Sequence, residues 1–429
     1  MSNLIISGGQ KLSGEVTPSG NKNSVLPILC ATLLTNQEIT LRNVPDLTDV
    51  NKLVQQLQEV GSTITWDKET ATMTINHSTF NPTFFAEDFP VGMRGSILLF
   101  SPLLNRLKKF RMKNEIGGCS LGIREIDPHI DVLEALGATV KKGEILEFSI
   151  DQQFTSGKLW PDYMSVTTTE NFINGAVVAK GTSRMTNAAS EPHVQELCRF
   201  LEQMGAKIEG IGTSTLTIHG VQELSGTDYT IGSDHHEITT FLALGAMTGG
   251  EIRVHKAIPE HFPLIVRSFN KLGVHIEYEN DTAIVRENQS LIVQRPFTHN
   301  MLQKIEAAPW PYFPVDLMPL LIALAIKAKG EVMFWNKVYE GGLFWAPELL
   351  KFGAKVSLSD PHRLIIFGGE PLTPATVAAP NIIRAAIALT MLALSTEGKS
   401  TILNADSIKR AHPHFNEKLT ELGANISWE

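Results

Sequence analysis

The sequence predicts an α/β protein of two similar domains, each assembled from three repeated β-α-β units with buried central helices. Three observations carry that expectation. The chain has 429 residues, more than the roughly 250–300 at which a single hydrophobic core stops growing. A glycine-centred signature recurs along its whole length. Two kinds of helical pattern alternate, one with a single apolar face and one apolar on nearly all sides.

The signature is leucine, two variable residues, an apolar residue, glycine, a small residue, a variable residue and a β-branched one. Its glycines are Gly61, Gly137, Gly205, Gly273, Gly353 and Gly423, and successive spacings of 76, 68, 68, 80 and 70 describe a unit of roughly 70 residues. Amphipathic helical patterns precede the glycine, as at 50–60, 130–136 and 194–204. Strand-like alternation follows it, as in Ala206-Lys207-Ile208 and Ala424-Asn425-Ile426-Ser427-Trp428. Each glycine therefore reads as a helix C-cap, where a left-handed residue ends the helix at little steric cost.

The second helical class covers 24–34, 95–104, 170–179, 237–247, 317–326 and 385–394. A helix apolar all round has to be covered on most sides, whereas the amphipathic one can face solvent. The unit thus places a central helix beneath an outer layer of amphipathic helix and sheet, with three units per domain. A division near residue 215 is the simplest, and an N-terminal strand crossing over to complete the second domain is the alternative.

Composition narrows the function classes. Apolar residues make up 43% and charged residues 19% of the chain, an ordinary globular balance. A net charge of -8 argues against general affinity for nucleic acid or anionic lipid, since both need a basic face. Cys30, Cys119 and Cys198 are too few and scattered for a disulfide framework, which fits a reducing cytoplasm. The most apolar stretch, 317–326, is about half the length of a membrane span. Neither export nor insertion is expected.

Polar residues recur ahead of the buried helices: Lys22-Asn23, Arg94, Ser165 to Thr169, Asp234-His235-His236-Glu237, Asp316 and Arg384. A helix N-terminus presents unpaired N–H groups and the positive end of the dipole, so several converging on one place bind phosphates and carboxylates. Simple capping explains any one of them equally well. Six in register are harder to attribute to capping alone.

Three motifs are more specific. Gly20-Asn21-Lys22-Asn23-Ser24 with Leu26-Pro27, the loop Gly117-Gly118-Cys119-Ser120-Leu121-Gly122-Ile123-Arg124, and Phe313-Pro314-Val315-Asp316 resemble the phosphoenolpyruvate signature, cysteine loop and catalytic-aspartate segment of the UDP-N-acetylglucosamine 1-carboxyvinyltransferases. Matching patterns run from residue 8 to the last repeat. The resemblance implies the enolpyruvyl transferase fold, two inside-out α/β barrels, with a first domain at 22–232, a second at 1–21 plus 233–429, and the active site in the cleft between them. It implies transfer of the enolpyruvyl group of phosphoenolpyruvate to the 3-hydroxyl of UDP-N-acetylglucosamine with release of phosphate, a step of peptidoglycan synthesis. No cofactor, metal, nucleic acid or membrane is implied, and the protein is expected to be a cytoplasmic monomer or weak homo-oligomer.

Residue chemistry agrees with that reaction. Phosphoenolpyruvate carries a phosphate and a carboxylate, so cationic groups are needed to bind it and to stabilise departing phosphate. The resemblance assigns Lys22, Asn23, Arg124, Arg384 and Arg410 to that role, and Arg94 and Arg384 to the sugar-nucleotide and carboxylate end. For Arg410 the competing reading is a solvated surface charge. Asp316 is the implied base for the acceptor hydroxyl, and its competing role is N-cap of the helix that follows. Cys119 is the implied acid and covalent partner, since a thiol beside Arg124 in a glycine loop has a lowered pKa and an accessible sulfur. The alternative for Cys119 is an inert surface thiol, while Cys30 and Cys198 fall in apolar helical patterns and read as core.

For the nucleotide sugar the resemblance carries over Arg124, Glu125, Ile126, Asp127, Pro128, Met164, Ser165, Val166, His235, Asp316 and Val338. Asp127 fits either contact with the base or capping of the helix after it. Asp234-His235-His236-Glu237 superficially suggests a metal site, but adjacent histidines are expected on different helix faces and the H-E-x-x-H spacing is missing. His235 is placed near the nucleotide instead.

Several positions depart from the family pattern. Ile116 replaces a proline in the cysteine loop, Gly342 stands where an arginine is expected, Ile382 replaces an acid, and Ala411-His412-Pro413-His414 replaces a Gly-Tyr-Glu-Arg run. Most of them cluster on the second domain's side of the inferred cleft. They leave two further readings beside the implied one: the same transfer to another acceptor, and a paralogue that binds the nucleotide sugar without turnover. Retention of Lys22, Cys119 and Asp316 favours catalysis, because binding alone needs neither an acid nor a base.

Overall fold

The computed structural model of the chain describes residues 2–81, 94–113, 125–298 and 300–429. Within these, 20–232 form one unit, while 2–19 and 233–429 form another. The continuous unit carries helices α1 (Lys22–Ala31), α2 (Thr48–Glu59), α3 (Phe100–Leu107), α4 (Asp127–Ala135), α5 (Val166–Ala176) and α6 (Pro192–Gln203). The split unit carries α7 (His235–Thr248), α8 (Pro263–Lys271), α9 (Met318–Lys327), α10 (Pro347–Leu350), α11 (Ile383–Leu394) and α12 (Phe415–Glu421). Among the described residues each unit holds three small sheets.

Burial sorts the helices as the two patterns predict. In the split unit α7 is buried at every residue from His235 to Met247, α9 from Met318 to Ile326 and α11 from Arg384 to Leu394. Helix α9 packs against both α7 and α11. Gly245 lets α7 settle on its sheet, because a Cβ there would come within 2.6 Å of Val285 Cγ1. In the continuous unit α1 and α5 play the same part, with α3 against α5. The helix predicted over 95–104 breaks into a 3-10 turn, Arg94–Leu99, followed by α3. Pro102 has no N–H to give the carbonyl four residues back, so a continuous α-helix is disfavoured there.

The amphipathic helices α2, α4, α6, α8, α10 and α12 each run into one of the six repeat glycines, all at positive φ between 79° (Gly353) and 105° (Gly205). Every one closes with the same pair of backbone bonds. Gly61 N–H donates to Gln58 and Ser62 N–H to Leu57 O at 3.0 Å, and Ala424 N–H repeats the second bond to Leu419 O at 2.9 Å. This is the Schellman arrangement, in which two otherwise unpaired carbonyls of the last turn are satisfied.

The division near residue 215 does not occur. Lys207–Glu209 and Thr215–His219 pair in one antiparallel ladder, which a cut there would sever. The first strand, Leu4–Gly8, lies between Gly398–Leu403 and Asn425–Trp428, antiparallel to both, and Gly14–Val16 joins Ile252–Val254 in parallel. Among the described residues no helix is long and apolar enough to cross a membrane.

Candidate active site

In the split unit the polar residues gather at the start of α7. Asp234 is the N-cap: in extended conformation (φ -74°, ψ 105°), it accepts from the backbone N–H of His236 at 2.8 Å, which ties down one of the orphan donors of the first turn. The same carboxylate oxygen takes a second bond from His236 Nδ1 at 2.7 Å. On the far side of the ring, His236 Nε2 faces Asp316 Oδ2 at 3.8 Å. Asp234 and His236 are buried, whereas the Asp316 side chain is 40% exposed.

The cluster continues inward through α11. Arg384 Nη2 lies 3.6 Å from Asp234 Oδ2, and its Nη1 donates to His412 Nε2 at 2.8 Å. His412 turns its Nδ1 towards Glu237 Oε1 at 3.6 Å. Glu237 accepts from the Ser19 N–H at 2.5 Å and pairs with Lys418 of α12 at 3.1 Å, while Lys418 also donates to Ser19 Oγ at 2.7 Å. Burial on its own pushes the Asp234 carboxyl up, but His236 above all, then Arg384 and His235, hold it well below the usual carboxylate range. Glu237 is depressed likewise: burial opposes ionisation, and Lys418, His412 and the Ser19 amide overcome it. Burial drives His412 down, so its ring stays neutral beside the guanidinium.

One expectation and one open alternative are corrected here. His235 and His236 do not point to different faces: their rings stack with centroids 4.1 Å apart and 31° between planes. Both sit in the first helical turn, where side chains lean back towards the N-cap. Asp234, His235 and His236 therefore bring potential ligand atoms within 4.8 Å of one another. Yet Asp234 and His236 already bond each other and Arg384 brings a fixed cation, so the set suits an ionic hydrogen-bonded cluster better than a metal ion. Asp316 is not the helix cap. It lies inside a 3-10 turn, Val315–Leu317, and α9 begins at Met318 with Leu317 before it and no side-chain cap.

Other expected site residues of this unit have different surroundings. Arg410 ends the 3-10 turn Ala405–Arg410 and is half-buried. Val338 is 36% exposed, its N–H held by Asn336 Oδ1 at 2.9 Å. Gly342 abuts the same asparagine, since a Cβ there would meet Asn336 Nδ2 at 2.1 Å. An arginine at 342 would require the Asn336 side chain, which holds the N–H groups of Val338 and Tyr339, to move. Ile382 is the N-cap residue of α11, buried, and makes no side-chain cap bond.

In the continuous unit, Lys22 opens α1 behind the N-cap Asn21, whose side chain accepts from the Asn23 N–H at 2.8 Å. Lys22 Nζ lies 2.6 Å from Asp49 Oδ2 of α2, with both side chains nearly buried. Ser165 caps α5 and also takes a bond from Thr168 Oγ1 at 2.8 Å; Met164 and Val166 flank it, both half-buried. Ile126 is the N-cap of α4, Pro128 sits in its first turn, and Asp127 lies one residue inside with its side chain exposed, like that of Glu125. A carboxylate at that position still favours the helix dipole. Arg94 starts its 3-10 turn, but its side chain, together with Cys119, Arg124 and Ile116, lies outside the described residues.

Some partners were not legible beforehand. Asp49, His412 and Lys418 complete the ionic contacts of Lys22, Arg384 and Glu237; His412 stands out only as a departure from the family pattern, and nothing in the local sequence marks the other two. In the continuous unit Asn171 of α5 donates to His129 Nδ1 of α4 at 2.9 Å and to the Ile97 carbonyl at 2.9 Å, a buried polar link among three segments. Cys30 and Cys198 are buried, and burial pushes both thiols up, as core cysteines should behave.

The model of the EPSP synthase (3-phosphoshikimate 1-carboxyvinyltransferase) family matches residues 6–419. A UDP-N-acetylglucosamine 1-carboxyvinyltransferase of Bradyrhizobium diazoefficiens is 40% identical over 422 residues, 98% of this chain and 97% of that one. One from Borrelia garinii is 38% identical over 428 residues, 99% of both chains. The chain belongs to the EPSP synthase family. Its sequence places it with the UDP-N-acetylglucosamine 1-carboxyvinyltransferases of that family.

Two solved structures share the fold. The crystal structure of the enolpyruvyl transferase NikO from Streptomyces tendae superposes with a TM-score of 0.85 at 22% identity, covering 100% of this chain and 99% of that one. An EPSP synthase from Acinetobacter baumannii gives 0.79 at 18% identity, covering both chains completely. At such identities the likeness speaks for architecture alone. It agrees with two α/β units, each with central helices enclosed by small sheets.

Proposed function

We propose that this chain transfers the carboxyvinyl group of phosphoenolpyruvate to the 3-hydroxyl of UDP-N-acetylglucosamine and releases phosphate, a step of peptidoglycan synthesis carried out in the cytoplasm. The observation that carries the reading is identity of 38–40% over nearly the full length to transferases of that name, with Lys22, Cys119 and Asp316 all present. The acceptor hydroxyl has to lose a proton as its oxygen attacks C2, and Asp316, half-exposed, is assigned as the base. Cys119 is assigned as the acid that protonates C3. Lys22, Asn23, Arg124, Arg384 and Arg410 are assigned to the phosphate and carboxylate, where fixed cations lower the energy of charge building on the leaving group. Arg94, Glu125 to Pro128, Met164 to Val166, His235 and Val338 are assigned to the nucleotide sugar. The test is incubation of the purified chain with both substrates, following phosphate and the mass of the sugar product. Phosphate release with a carboxyvinyl mass gain is expected. No release, despite nucleotide-sugar binding by calorimetry, overturns the reading.

Gly342 and Asn336 favour a second reading, the same transfer to a different acceptor. Gly342 stands where the family pattern expects an arginine, and any side chain there would first require Asn336 to swing its amide aside. Phosphate release that needs phosphoenolpyruvate and an acceptor other than UDP-N-acetylglucosamine would select it.

A further inference from the structure

We propose that His236, held by Asp234, is a positioning residue and proton relay for Asp316, accepting through Nε2 the proton that Asp316 takes from the attacking hydroxyl. This rests on the assignment of Asp316 as the base.

The geometry fixes the direction of transfer. Asp234 Oδ1 accepts from Nδ1 at 2.7 Å, so the Nδ1 proton is committed and the basic lone pair of a neutral ring is on Nε2, the nitrogen that faces Asp316 Oδ2 at 3.8 Å. A contact of that length commonly tightens to a hydrogen bond in the reacting complex. The relay runs from a 40% exposed carboxylate to an imidazole whose side chain is 2% exposed, so the proton moves away from the side open to solvent. In bonds, the acceptor O–H breaks as the O–C2 bond forms and Asp316 becomes a carboxylic acid. Its O–H then breaks as N–H forms at Nε2, and His236 becomes an imidazolium beside the Asp234 carboxylate. The proton returns through Asp316 to water after product release.

The charges around the ring are mixed. Asp234 favours the imidazolium, and so does Glu237 at longer range. Arg384, 3.6 Å from Asp234, opposes it, while His235, stacked on the ring, is driven well down by burial first and by His236 next, and stays neutral. His412 lies beyond Arg384. His261, in the 3-10 turn Pro259–His261, adds its field through His235. Asp234 is thus the near charge that lets a buried imidazole accept a proton at all.

Three variants and one spectrum test the relay. With the protein intact, the acid limb of kcat/KM is expected in the histidine range, because protonating the pair blocks the relay. In His236→Gln, kcat is expected to fall by about 10- to 100-fold with KM for both substrates within about threefold, and the acid limb to drop towards about 4, the carboxylate range. Asp234→Asn is expected to shift the limb the same way by less. A purely structural role would leave the limb where it was. Independently of turnover, 15N-histidine spectra of the wild type and Asp316→Asn are expected to show a lower titration midpoint for His236 once the facing carboxylate is gone. An unchanged midpoint overturns the relay, even if His236→Gln fails to fold. Inactive Asp316→Asn with wild-type kcat and acid limb in His236→Gln overturns the relay and leaves the base assignment standing. Full turnover in Asp316→Asn overturns both.

Discussion

Arg384 donates from Nη1 to Nε2 of His412 at 2.8 Å, a bond between a buried guanidinium and a buried neutral imidazole. Because Nε2 accepts, the His412 proton is on Nδ1, turned to Glu237. One histidine thereby spans a cation and an anion. His412→Ala should leave both with one partner fewer in a water-poor setting, at a cost of about 1–3 kcal/mol. Denaturant unfolding of the variant against wild type measures it.

Three buried histidines should weaken the fold as pH falls. Burial lowers His77, to about 3, and drives His235 and His412 down. A depressed folded pKa means the unfolded chain binds the proton more readily, so stability is fully present above about 6.5 and is lost as pH falls from there towards about 3. Unfolding midpoints should fall steadily over that window. His77, wedged between Thr32 Oγ1 and Ser62 Oγ at 2.8 Å each, should account for part of it, and His77→Gln should flatten the slope.

Lys22 and Asp49 form a nearly buried pair at 2.6 Å. Asp49→Ala removes a nearly buried carboxylate from the ammonium and should destabilise the chain, by up to about 3–5 kcal/mol. Lys22→Ala/Asp49→Ala should lose less than the sum of the single variants. A double-mutant cycle by chemical denaturation checks both statements.

The repeat glycines should not be equally sensitive. At Gly205, φ 105°, an added Cβ meets nothing within 4 Å, so Gly205→Ala should cost only the left-handed strain, about 1–2 kcal/mol. At Gly273 the same Cβ would lie 2.2 Å from the Ser290 carbonyl oxygen. Gly273→Ala should therefore cost at least twice as much, with backbone displacement to match. Equal melting temperatures for the two variants would contradict this.

Asp316→Asn should lower kcat by about 10²- to 10⁴-fold while calorimetry shows nucleotide-sugar affinity largely kept. The side chain is half-exposed and caps no helix, so stability should hardly move. Unchanged turnover would remove it from the chemistry.

Much of the fold was readable in advance because it is periodic. Gly61 and its five counterparts stand at the end of one-faced helices, and a helix such as α11, apolar throughout, has nowhere to go but inside. What stayed illegible depends on pairings between distant positions. Nothing near Arg384 indicates that its partners are His412 and Asp234, and the Asp49 that neutralises Lys22 looks like an ordinary first-turn acid. His235 and His236 stack because the first turn folds side chains back over the N-cap, a local detail that ideal helix spacing omits. A cap role for Asp316 stayed open because the 3-10 turn that delays α9 by one residue, to Met318, leaves no mark on the hydrophobic pattern.

The strand Leu4–Gly8 finds its two neighbours only in Gly398–Leu403 and Asn425–Trp428. During synthesis, at about 5–20 residues per second, it must wait roughly 20 to 80 seconds for the first of them to emerge from the ribosome. For that interval a ribbon with Leu4 and Ile6 on one face and both backbone edges unpaired stands open to any passing strand. Residues 20–232, whose ladders all close among themselves, can meanwhile be complete, so chaperone demand should fall on the earliest-made segment until the last-made one arrives.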